Sequence, residues 1–399
     1  MADLRVLYVS HSFPLPGRPL SNVGGMQRVA TGLHAALAAR DDVRLASLVL
    51  ETSWKATPYR VPPFLAGLAR AIPRAVEEND ADVVLFSSMV TAALAPVLRA
   101  RLARRGTLMA AIPVGRDVTL PTPGYGWLVR RVFRSLDLVF PISRATAREC
   151  RLRGADPAKT HVIPCGVDVD TFAAPRDRAA ARRELLRAIG ESPSTVPDDA
   201  LLLVSVGRHQ ERKGFQWFAD EVMPRLPRDV YYLVTGEGPM TPRIQEAIDR
   251  HGLAGRARLL GKVPEETLRT LYRGGDLFVM PNVHVPGDIE GFGVVMLEAG
   301  MCGMPVVAAD LEGISDVVRE GANGNLVPSR DADAFVRAIL SYRAGDRLQA
   351  ASRAAARYTA RTFSWDGVAD RFVETFRERL GLPAPAAAPH APARAAGVR

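Results

Sequence analysis

The stretch Leu201-Leu-Leu-Val-Ser-Val-Gly-Arg-His-Gln-Glu-Arg-Lys-Gly214 joins six strand-forming residues to a glycine and a loop that carries Arg208 and Lys213. A short apolar run bounded by such a turn fits a strand buried on both faces, and strands of that kind belong to parallel sheets covered by helices. In open sheets of this type, ligands sit beyond the carboxyl ends of the strands. Gly207, Arg208 and Lys213 therefore fall where a ligand would be, and two cations can balance a diphosphate.

Similar runs follow over 230–235, 258–260, 277–280 and 305–308, separated by helical patterns such as 242–251 and 265–273. An earlier series lies over 4–10, 43–50, 82–86, 108–113 and 136–142. Strands alternating with helices predict α/β units, and two series predict two Rossmann-like parallel sheets. The length agrees, because 399 residues, 47% of them apolar, exceed what one core usually organises. Between the series, Val162-Ile-Pro-Cys-Gly-Val-Asp168 and Thr171-Phe-Ala-Ala-Pro175 precede a charged helical stretch over 178–189. Proline and glycine around a charged helix suit an interdomain connection, so the expected domains are 1–170 and 171–362. Residues 363–381 read as a helix with Ser364 as N-cap. The Ala/Pro-rich tail, 382–399, is expected to be disordered and outside the function.

Composition excludes several classes. Cys150, Cys165 and Cys302 are widely spaced and odd in number, which suits neither a disulfide framework nor a zinc site. The first residues read as a buried strand rather than a signal peptide, and the apolar stretch 83–98 is short for a membrane span. The expected location is cytoplasmic, with peripheral attachment to the inner face of the membrane as an additional expectation. The formal net charge of +9 concentrates between residues 96 and 160, where 13 basic residues face 4 acidic ones. Without aromatic platforms or zinc-finger spacing, this excess does not point to nucleic acid. Trp127, Leu128, Val129, Val132 and Phe133 lie among Arg130, Arg131 and Arg134, a pattern compatible with an interfacial helix on an anionic surface, or with a helix that buries its apolar face in its own domain and leaves the arginines solvated.

The strongest chemical signal is Glu290-Gly-Phe-Gly-Val-Val-Met-Leu-Glu298. Helical rise over eight residues separates the two carboxylates by about 12 Å, near the span from the sugar to the ribose of an extended nucleotide sugar. Between them, the amides of Gly291, Phe292 and Gly293 would form the positive end of a helix, suited to a diphosphate. Thr235-Gly-Glu-Gly-Pro239 places Gly236 after another strand, but a lone G-x-G is weak evidence.

The run over 162–328 resembles the family 4 retaining glycosyltransferases, because Gly-Arg-x-x-x-x-Lys-Gly, Gly-x-Gly-Pro and Glu-x7-Glu occur in that family's order. Phe13-Pro14 followed by Gly24-Gly25-Met26 is similar to the family loop that approaches the donor phosphate, and Phe140-Pro-Ile-Ser-Arg-Ala-Thr146 also fits. The resemblance implies the GT-B fold: two Rossmann-like domains facing each other across a cleft, with the helix at 363–381 crossing back onto the first. It implies that Arg208, Lys213 and Glu290 form the catalytic set, the two cations on the diphosphate and Glu290 by the transferred sugar. Glu298 would bind the ribose, and Lys262 and Val263 would meet the nucleobase. Gly24, Gly25, Asp117, Gly207, Gly236, Gly291, Phe292 and Gly293 complete the implied substrate contacts. The donor would be a nucleotide diphosphate sugar, with no cofactor, and the acceptor a glycan, a lipid-linked molecule or a small molecule.

Two positions depart from the family. Val114-Gly115-Arg116-Asp117 stands where the family often shows His-Gly-x-Asp, and Asp316 stands where it usually has glutamate. The first change removes a histidine from the sugar and acceptor side. The missing histidine keeps a non-catalytic nucleotide-sugar binding protein as an alternative, beside a GT-B epimerase or phosphorylase. The Asp-x-Asp pairs Asp80/Asp82, Asp168/Asp170 and Asp331/Asp333 read as solvated carboxylates, so no metal site is expected.

Overall fold

The computed structural model describes residues 3–17, 24–120, 122–175, 177–192 and 194–383. The first sheet contains β1 (Leu4–Phe13), β2 (Val43–Glu51), β3 (Val83–Phe86), β4 (Leu108–Ala111) and β5 (Leu138–Val139), in the order β2-β1-β3-β4-β5. The second contains β6 (Leu201–Val206), β7 (Val230–Thr235), β8 (Ala257–Leu259), β9 (Leu277–Met280), β10 (Val306–Ala309) and β11 (Gly324–Val327), in the order β11-β10-β9-β6-β7-β8. Every ladder is parallel. Strands β3, β6, β9 and β10 are buried along their whole length, as sheets covered on both faces require.

Strand order reverses once in each sheet, between β1 and β3 in the first and between β6 and β9 in the second. Crossover helices leave opposite faces of the sheet on either side of such a point and open a crevice at the strands' carboxyl ends. Each domain thus offers one built-in ligand position.

The tie between the domains is the helix Trp365–Leu380, whose N-cap Ser364 accepts from the Gly367 amide at 3.3 Å. Its buried stripe, Val368, Ala369, Phe372, Val373 and Phe376, follows helical spacing and lands on the first domain. Phe372 and Phe376 pack on Phe140 with ring centroids 4.7 and 5.5 Å away. The Trp365 ring fills the space that a Cβ would need at Gly32 and Gly166. The chain therefore has the GT-B arrangement, with its last described helix returned to the first domain.

Some details differ from the sequence reading. β5 keeps only two of seven expected residues, and β11 was not expected. The segment 83–98 resolves into β3, a short helix Met89–Ala92 and the start of Ala95–Ala103. No helix among the described residues is long and apolar enough to cross a membrane. The expected tail, beyond Pro383, lies outside the described residues.

Candidate active site

At the β6/β9 crevice, the chain leaves β6 through Gly207, whose φ of +156° favours glycine. Gly236 follows β7, and a Cβ there would sit 1.9 Å from the Gly207 carbonyl oxygen. Both glycines therefore let two loops touch, a packing role in addition to any ligand contact. The 3-10 turn Glu211–Lys213 then carries Lys213 inward, where its Nζ lies 2.6 Å from Glu290 Oε2. Asn282 donates to the same oxygen at 3.2 Å, and Arg212 Nε lies 3.6 Å away.

Glu290 and Lys213 are both buried. Burial raises the Glu290 pKa, but the charges of Lys213 and Arg212 outweigh it and hold the carboxyl below its ordinary range. Arg212 also reaches Asp288 at 3.5 Å. Arg208 remains exposed, its guanidinium 5.6 Å from the ring centroid of Trp54 in the other domain. Partial desolvation at the crevice mouth and then the charges of Arg212 and Arg116 pull its pKa down. Arg208, Arg212 and Lys213 thus lie beside Asp288, Glu290 and Glu312, which accepts from the Glu290 amide, and the charge of Arg116 reaches Arg208 from the first domain. Four cations against three carboxylates leave this crevice with an excess of positive charge. Arg212 Nε, Asp288 Oδ1, Asn282 Oδ1 and His209 Nε2 are buried there without hydrogen-bond partners among the described residues. Buried polar atoms are rarely left so, and a polar ligand would satisfy them.

Beside this cluster, the helix Val294–Met301 begins after Gly293, whose φ is +87°. The amides of Gly291, Phe292 and Gly293 meet no acceptor among the described residues. The Phe292 side chain turns away into the core, 6.1 Å from Phe363 between ring centroids; only its backbone faces the crevice. Glu290 precedes the helix, so the two glutamates are linked by a loop and about one helical turn rather than by continuous helix. Glu298 is buried, accepts from the Tyr272 hydroxyl at 2.7 Å and pairs with Arg28 of the first domain. Arg28 lies one turn into the helix Gly25–Ala38, which Gly24 caps. Lys262 is exposed and Val263 half-buried, just after Gly261, whose carbonyl accepts from Thr235 Oγ1 at 2.7 Å and the Gly236 amide at 2.8 Å.

The domains touch where Gly115 meets Gly291. A Cβ on Gly291 would lie 2.5 Å from the Val114 carbonyl oxygen, and one on Gly115 would lie 3.1 Å from Gly291 Cα. Asp316 ties the same seam by accepting from the Arg144 amide at 2.6 Å.

Asp117 requires a correction. Its carboxyl is buried and accepts from the Met89 amide at 3.0 Å and the Val114 amide at 2.8 Å, so it shapes the crevice wall rather than facing a substrate. Burial pushes its pKa up to about 6, partly opposed by those amides. The folded carboxyl keeps its proton to higher pH than the unfolded one. Its stabilising contribution is therefore present below about pH 4 and lost by about pH 6, a change of about 3 kcal/mol. Denaturant unfolding at pH 4 and pH 7 should show Asp117→Asn gaining about that much on the parent across the interval. An unchanged difference would mean the carboxylate is charged throughout.

Arg116, Arg212, Arg28, Trp54 and Asn282 were not singled out from sequence. Arg212 and Arg116 lay inside quoted motifs at variable positions, which was the only signal available.

Residues 200–343 match the family described as Glycosyl transferases group 1, and residues 23–171 match Glycosyltransferase Family 4. The chain belongs to the family 4 glycosyltransferases. The family 4 chain is 37% identical over 234 residues to the D-inositol 3-phosphate glycosyltransferase of Geodermatophilus obscurus, covering 56% of this chain and 48% of that protein. It spans about half the length of the curated relatives it matches. Among solved structures, Anabaena HepE in complex with UDP has a TM-score of 0.70 at 17% identity, covering 94% of this chain and 100% of that one. Sucrose-phosphate synthase from Thermosynechococcus elongatus has a TM-score of 0.73 at 19% identity, covering 95% and 99%. These two likenesses show the fold.

Proposed function

We propose that this family 4 glycosyltransferase moves a sugar from a nucleotide diphosphate sugar to a hydroxyl acceptor, with retention at the anomeric carbon and without a metal ion. The convergence of Arg208, Arg212 and Lys213 on the β6/β9 crevice, with the charge of Arg116 reaching Arg208 from the first domain, carries this reading. Preorganised cations and helix amides stabilise charge that develops on a leaving group, and a departing nucleoside diphosphate develops such charge. The bond from the anomeric carbon to the diphosphate breaks, the acceptor oxygen bonds to the same face, and the leaving phosphate oxygen takes the acceptor's proton. HepE, solved with UDP and with UDP-glucose, supports a nucleotide sugar as donor.

One carboxylate of each Asp-x-Asp pair is engaged by the protein itself. Asp82 binds Arg5, Asp168 accepts from the Asp170 and Thr171 amides, and Asp331 accepts from the Ala334 amide. Purified protein should therefore release UDP or GDP from its nucleotide sugar at the same rate with and without EDTA, and the product should keep the donor's anomeric configuration by NMR. Activity lost to EDTA and restored by Mn²⁺ or Mg²⁺, or an inverted product, would overturn the reading.

The enzyme's attachment to an anionic membrane is proposed from a second surface. Val129, Val132 and Phe133 are buried in the first domain and Leu128 packs against its core, so the apolar stripe expected to meet lipid is mostly the domain's own core. What faces outward is Trp127, 64% exposed, and Leu152, 73% exposed. They line one groove of about 680 Å³ together with Arg130 and Arg153. Arg131 lies over the Trp127 ring at 4.7 Å, and Arg134, Arg148 and Arg151 are exposed nearby. An interfacial arginine contributes about 1 kcal/mol on an acidic bilayer, so this cluster suffices for reversible binding. The protein should co-sediment with phosphatidylserine vesicles at low salt and much less with phosphatidylcholine, and Arg130→Glu/Arg131→Glu/Arg134→Glu should abolish the difference. Equal recovery with both lipids would refute the attachment.

A further inference from the structure

Glu290 sits on a stretch of chain, 281–293, that forms neither helix nor strand between β9 and the helix Val294–Met301. Main-chain groups in such a stretch have no ladder of their own, so their place is set by the outside groups that take them. For Glu290 these come from one 3-10 turn, Glu312–Asp316, just after β10. Glu312 Oε2 accepts from the Glu290 amide, and the Gly313 amide donates to the Glu290 carbonyl oxygen at 3.1 Å. The fit is close, since a Cβ on Gly313 would lie 2.9 Å from that oxygen. At its other end the turn reaches the first domain through Asp316, which accepts from the Arg144 amide. Both main-chain groups of Glu290 and the domain seam therefore share one support.

The φ of Glu312 is +52°, a left-handed conformation that glycine adopts freely and a residue with a Cβ adopts at a cost. Its side chain is only 13% exposed, with Oε1 3.6 Å from His284 Nδ1. Burial raises its pKa, and the Glu290 amide opposes the rise without cancelling it. Neither the backbone nor the placing of a second acid beside Glu290 favours glutamate here. What favours it is an acceptor oxygen at the Glu290 amide, and unfavourable backbone persists where a site uses it. We propose that Glu312 is a positioning residue for the transfer, holding the main chain of Glu290 so that its carboxylate keeps its place between Lys213 and the transferred sugar. The inference rests on the transferase reading above and on Glu290 lying by that sugar. A carboxyl accepts in either protonation state, so the role belongs to the oxygen and not to the charge.

Glu312→Gly and Glu312→Gln in the full chain test this, with UDP or GDP release from UDP-glucose or GDP-mannose as the readout. Glu312→Gly removes the acceptor, so kcat should fall about tenfold, the scale of one hydrogen bond to a charged group, with donor KM changing much less. The lost contact and the relieved backbone act in opposite directions on stability, so the urea midpoint should stay near that of the parent. Glu312→Gln keeps an oxygen for the Glu290 amide and should restore most of the turnover. Isothermal titration with UDP and GDP should give the same affinity in all three proteins. Parental kcat in Glu312→Gly, or a loss in Glu312→Gln as large as in Glu312→Gly, would overturn the positioning role. A fall in kcat matched by a lower urea midpoint and weaker nucleotide binding would overturn it too, because the residue would then serve the fold alone. Absence of turnover in the parent with either donor would overturn the transferase reading, and this role with it.

Discussion

Lys213→Ala should lower kcat by about 10²- to 10³-fold, the usual consequence of losing one preorganised stabiliser of developing charge. It should also destabilise the fold by about 3 kcal/mol, because Glu290 would remain buried without its nearest cation. Asn282 at 3.2 Å and Arg212 at 3.6 Å remain, which places the cost at the low end for a broken buried pair. Adding Glu290→Gln to Lys213→Ala should recover much of the stability and none of the turnover, since a neutral amide needs no cation to stay buried. Arg208→Ala provides the contrast. Its guanidinium is exposed over Trp54, so kcat should fall by a similar factor while stability changes by less than about 1 kcal/mol. Urea melts and steady-state kinetics on the four proteins separate the two effects. Near-parental kcat in Lys213→Ala would remove the diphosphate role.

Gly291→Ala should reduce kcat/KM by about 10²-fold, the scale of a misplacement of about 1 Å between reacting groups. The added methyl would meet the Val114 carbonyl oxygen at 2.5 Å. Neither backbone can yield easily, because Val114 is fixed through Asp117 and Gly291 lies against Gly313, where a Cβ would meet the Gly291 oxygen at 2.1 Å. Relief must come from the domains moving apart, which withdraws Arg116 from Arg208. Nucleotide diphosphate affinity should change far less than turnover, because Lys213, Glu290 and Glu298 belong to the second domain. Isothermal titration beside kinetics makes the comparison. Turnover within about threefold of the parent would show that close approach at this seam is not needed for chemistry.

The strands were legible where burial on both faces leaves a continuous apolar run, as in Leu201–Val206 and Leu277–Met280. β11 escaped because Gly324-Asn-Leu-Val327 is short, polar in part and at a sheet edge. The helix Thr57–Glu78 escaped because Pro62, Pro63 and Pro73 lie inside it and proline argues against a helix interior. At the site, Arg208, Lys213 and Glu290 were legible from motif order. Asp117 was misread because a carboxylate in a motif looks the same whether it meets a ligand or two amides. The stripe Val129, Val132 and Phe133 was open between lipid and the domain's own core, because helical periodicity marks a buried face without saying what buries it, and the structure places it in the core.

The sequence by itself determined two parallel sheets, their order along the chain, the helix after Phe363 with its Ser364 cap, and the residue types of a diphosphate site. Those features depend on spacing within one element, which the chain carries locally. Only the tertiary structure decided that Lys213 pairs with Glu290, that Arg28 meets Glu298 and that the charge of Arg116 reaches Arg208. Each of these joins residues at least 77 positions apart, and their meeting is set by which strands are neighbours and how closely Gly115 lets one domain approach the other.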